Sequence, residues 1–227
     1  MESNNNYQVH VEQRLTFVLV HGSWADAHFW DGIATALRRN GHVVYTPEYA
    51  GHGDDPNKNV THAMVTNSVV DFITELNLHD IILVGHSFGG TVIQKVAEQV
   101  PDRIKRLVFW DAFVLKDGES LADELPPQTR QGFEQLRASS KDDTIMLPFP
   151  LFRELFVNTA TLDVARQIYA GVVPNRLNRS LRNWILRRSM HCLHQGAMSI
   201  SIRTTYCHRE KAMGGIHICP CGSVCSD

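Results

Sequence analysis

Ile81-Ile82-Leu83-Val84-Gly85-His86-Ser87-Phe88-Gly89-Gly90 is the stretch whose reading decides the fold. Four apolar residues run into a Gly-x-Ser-x-Gly turn, and a helix-like segment, Gly90 to Gln99, follows. A strand, a sharp turn and a helix in that order form a nucleophile elbow. The serine there sits on a strained bend. Side chains two residues before and after it would collide, which is why glycine is favoured at 85 and 89. The bend lifts the hydroxyl clear of the sheet, and the helix N-terminus behind it favours developing negative charge.

Upstream, Leu15 to Val20 is a continuous apolar run, the pattern of a parallel strand covered on both faces. It ends in His21-Gly22-Ser23-Trp24. Acyl transfer needs backbone N–H groups aimed at a forming oxyanion. The residue after the nucleophile supplies one, here Phe88. The loop after the first core strand supplies the other, here Ser23. Gly22 lets that backbone come close. His21 reads as a packed structural histidine, because the base in this arrangement follows the serine in the chain.

These segments, with Pro47-Glu48-Tyr49-Ala50-Gly51-His52-Gly53 and Leu107-Val108-Phe109-Trp110-Asp111-Ala112-Phe113, match the α/β-hydrolases in order and spacing. The chain resembles the small bacterial carboxylesterase branch, which is similar to plant methylesterases and pyrethroid hydrolases. The likeness runs from about residue 15 to residue 175 and then fades. It implies an α/β fold, with a parallel doubly wound sheet under a helical cap. It also implies hydrolysis of a small, largely apolar carboxylic ester without a cofactor. The expected order is serine, then acid, then histidine. Asp111, at the end of the fourth strand, is the candidate acid, as in certain relatives. An Asp that merely caps the next turn is the competing reading. His217 is the candidate base, with His191, His194 and His208 as rivals. A dehalogenase is disfavoured, because its elbow needs a carboxylate where Ser87 stands.

The bulk numbers exclude several other functions. A chain of 227 residues with 43% hydrophobic content suits one soluble domain. A net charge of −2 argues against nucleic acid or an anionic membrane as partner. Met1 to Asn6 is polar and no apolar run is long enough to span a bilayer, so a cytoplasmic location is expected. The charge is unevenly spread. Met1 to Asn175 carries 14 Lys+Arg against 22 Asp+Glu, whereas Arg176 to Asp227 carries 8 against 2. All five cysteines fall in that last segment. The expected organisation is therefore a mobile start at 1–14, a hydrolase core at 15–115, a helical cap at 116–175 and an atypical basic, Cys-rich tail at 176–227.

Within the core, Trp30, Ile33, Ala34 and Leu37 predict one helix, with Gly41 at its C-terminal end. Val65, Val69, Phe72, Ile73 and Leu76 predict the buried face of another. His42 to Tyr45 and Arg106 to Trp110 read as strands. Between Lys116 and Asn175, helical fragments are expected around Gln128 to Ala138 and Leu151 to Val157. The apolar positions from Met146 to Phe156 either line an ester pocket or bury the cap on the core.

The tail offers no clean strand, Ala197 to Ile202 being the best candidate, so the last strands are expected to be missing or irregular. Two readings of it stand. One is a reading-frame change near residues 176–185. The other is a metal or disulfide module on Cys207-His208, His217, Cys219, Cys221 and Cys225. Cys219-Pro220-Cys221 is shorter than the usual zinc knuckle, so no metal is expected. With neither acid nor base in a convincing motif, activity is expected to be reduced or absent. A non-catalytic ligand-binding relative, or pseudoenzyme, is the alternative. The oligomeric state is not legible.

Overall fold

The computed structural model describes residues 13–141 and 143–174, and the backbone of 200–202. The expectations for 1–12 and for most of the tail, the frame change and the cysteine module included, lie outside the described residues.

The central sheet holds β1 (Thr16–Val20), β2 (Val43–Tyr45), β3 (Ile81–Ser87), β4 (Ile104–Ala112) and β5 (Ile200–Ile202). Among the described residues the order is β2-β1-β3-β4-β5, and every pairing is parallel. The three-residue β5 lies within the segment Ala197 to Ile202 and pairs with β4 along Val108–Trp110. Parallel strands need crossovers, and the helices α1 (Asp31–Arg39), α2 (His62–Glu75) and α3 (Gly89–Gln99) supply the first ones.

The two sheet faces are covered differently. On one, Leu19, Val44, Ile82 and Val84 pack with Trp30 and Ala34 of the α1 region. On the other, Val18, Val20, Leu83, Leu107 and Phe109 pack with Val65, Val69 and Ile73 of α2 and Val92, Ile93 and Val96 of α3. The near-continuous apolar runs follow from this two-sided cover. After β1 the chain turns to one side for β2 and then crosses back to place β3 on the other side of β1. The carboxyl ends of β1 and β3 therefore flank the topological switch point, where sheets of this kind bind ligands.

The predicted helices form close to their expected limits. Asn40 closes α1 and Gly41 follows with φ +83°. Leu76 departs from expectation: it is the C-cap of α2 and 48% exposed. Beyond β4, four helices follow among the described residues, namely α4 (Leu121–Glu124), α5 (Pro127–Ala138), α6 (Phe149–Phe156) and α7 (Leu162–Ala170). Leu147 and Phe152 are buried in the main core, whereas Met146, Leu151 and Phe156 are exposed.

The Gln94 amide locks the entry to this helical segment. Its Nε2 donates to Leu115 O at 2.9 Å and its Oε1 accepts from Leu115 N at 3.0 Å. Both residues are buried. Gln94→Ala leaves the Leu115 backbone groups without these partners and should destabilise the protein by about 2 kcal/mol in urea titration. An unchanged midpoint would mean that the two bonds contribute nothing net.

Candidate active site

Ser87 is the last residue of β3 and has φ +52°, a left-handed conformation that an L-residue adopts only when its surroundings hold it there. Those surroundings are built from glycines. A Cβ on Gly85 would lie 2.6 Å from Gly89 O, and one on Gly89 would lie 2.6 Å from both His21 O and Val20 O. Real Cβ atoms do not approach backbone so closely. β3, α3 and the end of β1 are thus packed backbone to backbone around the bend. A Cβ on Gly22 would lie 2.8 Å from Ser87 Cβ, so the loop after β1 rests directly against the serine.

The residues read from the sequence as oxyanion donors flank this contact. Ser23 follows Gly22 in a turn, and Phe88 follows Ser87 as the N-terminal cap of α3. The Phe88 ring is buried, 5.9 Å from the His62 ring and 6.2 Å from those of Tyr49 and His52. Trp24 has φ +58° and ties this loop to the helical segment. Its Nε1 donates to Ile145 O at 2.8 Å and its carbonyl accepts from Val173 N at 3.1 Å.

Asp111 stands at the same sheet edge. His86 pairs with Trp110 and Ser87 with Ala112, so Asp111 is the extra residue of a bulge, with φ +45°. Its side chain is exposed. Its charge acts on His86, the residue before Ser87. Burial, the larger effect, pushes the His86 ring down to about 4, and the Asp111 carboxylate opposes it. The His86 ring stacks on Phe29 at 4.6 Å, and its Nδ1 is buried without a hydrogen-bond partner among the described residues.

The described histidines have other engagements. His21 meets Glu48 and Gly22 O, His28 meets Asp31, and His42 accepts from Leu15 N. His52 meets Ala50 O, His62 meets Thr66 and Thr91, and His79 meets Asn77 and Arg103. His217, with His191, His194 and His208, lies outside the described residues. Glu48 and Tyr49 belong to the segment 47–53 that carries part of the family resemblance, and the sequence assigns neither a role in the site. The structure brings both against His21, from 27 and 28 positions away.

Among the described residues no group of three His, Cys, Asp or Glu side chains is arranged to hold a metal, and no helix is long and apolar enough to cross a membrane.

A profile of the alpha/beta hydrolase family matches residues 17–197. The chain belongs to this family. It is 39% identical over 148 residues to a carbendazim hydrolyzing esterase of Nocardioides sp. (strain SG-4G), covering 62% of this chain and 61% of that protein. It is 34% identical over 103 residues to methylesterase 1 of Arabidopsis thaliana, covering 43% of this chain and 39% of that protein. The matches thus span about three fifths and two fifths of these relatives' lengths. One solved structure is described as an extracellular alpha/beta-hydrolase from a Paenibacillus species with structural and functional homology to tobacco Salicylic Acid Binding Protein 2. It is 47% identical with a TM-score of 0.72, covering 83% of this chain and 90% of that one. Tomato methylketone synthase I, at 18% identity and a TM-score of 0.67 over 83% of this chain and 78% of that one, shares the fold. The hydrolase fold is therefore established, and the cytoplasmic expectation stands beside a relative described as extracellular.

Proposed function

We propose that this chain is a serine esterase acting on a small, largely apolar carboxylic ester. Ser87 attacks the acyl carbon, and its proton passes to a histidine. The Ser23 and Phe88 N–H groups stabilise the oxyanion, and water releases the acyl group. One observation carries the reading: Ser87 is held at φ +52° on a glycine-packed bend, with the Gly22 loop against its Cβ. The naming of relatives as esterases supports the substrate class.

Asp111 is proposed as the carboxylate that orients the base. Its place on a bulge at the carboxyl end of β4 supports this, since bulges next to active sites re-aim side chains. His217 is proposed as the base. Helices α4 to α7 are proposed as the cap, with Phe156 toward the ester, since its ring lies 5.9 Å from Trp24. Slow turnover is part of the proposal, because neither Asp111 nor His217 stands in the family's usual motif.

Hydrolysis of p-nitrophenyl acetate tests it. The wild type should turn over above buffer, and Ser87→Ala should remove that excess, leaving only what the oxyanion hole provides. A Ser87→Ala variant as fast as wild type would overturn the esterase reading. A folded wild type with no turnover but saturable ligand binding would favour the non-catalytic reading. The likeness of the Paenibacillus relative to a protein named for binding supports that alternative.

A further inference from the structure

We infer that Glu48 is a positioning residue for the loop that carries Ser23, acting through a doubly protonated His21. His21 is the first residue after β1 and is fully buried. Its ring stacks on Tyr49 with centroids 3.9 Å apart and planes 10° apart. The ring Nδ1 lies 3.0 Å from Gly22 O and Nε2 lies 2.8 Å from Glu48 Oε1. A carbonyl oxygen and a carboxylate oxygen only accept, so both ring nitrogens must donate. Neutral imidazole has a single N–H, and only the cation makes both bonds.

Glu48 supplies the counter-charge. Burial alone would raise its carboxyl, but the hydrogen bond and charge of His21, with the Ala27 N–H, hold it below the usual carboxylate range. The other groups facing the ring are Tyr49 and His52 from the β2–α2 loop and His86 from β3. Burial raises the Tyr49 hydroxyl well above its ordinary value and, with the His21 charge, lowers His52 to about 3, so both stay neutral near pH 7.

The same carboxylate holds both ends of the loop. Oε1 meets His21 at the start, and Oε2 accepts from Ala27 N at 2.9 Å at the far end. The Tyr49 hydroxyl donates to His21 O at 3.0 Å and, at 3.2 Å, to Gly22 O. Gly53 makes room for Glu48, since a Cβ there would sit 2.8 Å from Oε2. Gly22 abuts Ser87, so a shift of this clamp moves the Ser23 N–H relative to the serine. The His21 charge, next to Gly22, also favours an anion forming at that loop.

The positioning half rests on the esterase reading, and the protonation half does not. Nitrogen-15 NMR of the full chain at pH 7 should show two protonated ring nitrogens for His21 in the wild type, and one in Glu48→Gln. An unprotonated ring nitrogen in the wild type would overturn the inference. Glu48→Ala should slow fluorophosphonate labelling of Ser87 about tenfold, less than the 10²–10³ lost with an oxyanion donor. Glu48→Gln, which keeps an acceptor, should recover part of that rate. Unchanged labelling in folded Glu48→Ala would overturn the positioning half. A wild type that shows both protons but never labels would count against the esterase reading alone.

Discussion

Thermal stability is expected to fall steeply as the pH drops from 6.5 to 4. Three histidines drive this, His52 buried and His62 and His86 half-buried. Burial lowers His52 and His62 to about 3 and His86 to about 4, from an ordinary value of 6.5. In the unfolded chain these rings take up protons near 6.5, whereas in the folded protein they do not until about 3 to 4. The unfolded state therefore binds more protons throughout that window, and stability rises with pH across it. The contribution is fully present above 6.5, falls as pH drops, and levels off below the folded values. At about 1.4 kcal/mol per pH unit, each ring removes roughly 3 kcal/mol by pH 4. Together they approach the whole stability of an ordinary domain, about 5–15 kcal/mol. Calorimetry at half-unit pH steps checks this. A melting temperature that stays level from pH 7 to 4.5 would mean that the three rings are protonated or solvated in the fold.

Gly89→Ala should be among the most damaging single methyls in the described core. The new carbon meets His21 O and Val20 O at 2.6 Å, both of them backbone at the end of β1. No side chain can swing away, so α3 must move off the sheet or the loop after β1 must move off Ser87. Overpacking of this kind costs about 3 kcal/mol, and backbone collision places this site at the upper end. Loop displacement should also remove Ser87 reactivity. Gly132→Ala is the control. Gly132 lies within α5, and nothing stands within 4 Å of an added Cβ. That change should stabilise the helix by about 0.5–1 kcal/mol. Urea titration of both variants decides the matter. Equal and small effects would contradict the tight packing of β1, β3 and α3.

Much of the fold was legible because burial leaves a mark on the sequence. The runs Leu15–Val20 and Ile81–Val84 are apolar since each strand is covered on both faces. The glycines at 85 and 89 are legible since no other residue fits the bend. α7 leaves no readable trace in the sequence. Its apolar residues Leu162, Val164 and Ile168 are exposed and only Ala165 is buried, so hydrophobic spacing there does not index burial. Leu76 misled for the opposite reason: it continues the periodicity of α2 one residue past the helix end.

Within the site, Ser87 and Gly22 were readable from local pattern, because a turn is a local structure. The link from Glu48 and Tyr49 to His21 was not. It joins two loops 27 or 28 residues apart through hydrogen bonds, and hydrogen bonding leaves no periodic trace. The bulge that projects Asp111 depends on the pairing of β3 with β4, so it too becomes visible only once the strands are side by side. His217 lies outside the described residues, so its role rests on the family order of serine, acid and histidine.

The most direct measurement is peptide mapping by mass spectrometry after treatment with a fluorophosphonate. An adduct confined to Ser87, and absent from Ser87→Ala and from denatured protein, is the predicted result. An untouched Ser87 in the folded protein, or an adduct carried by another serine, would contradict the account.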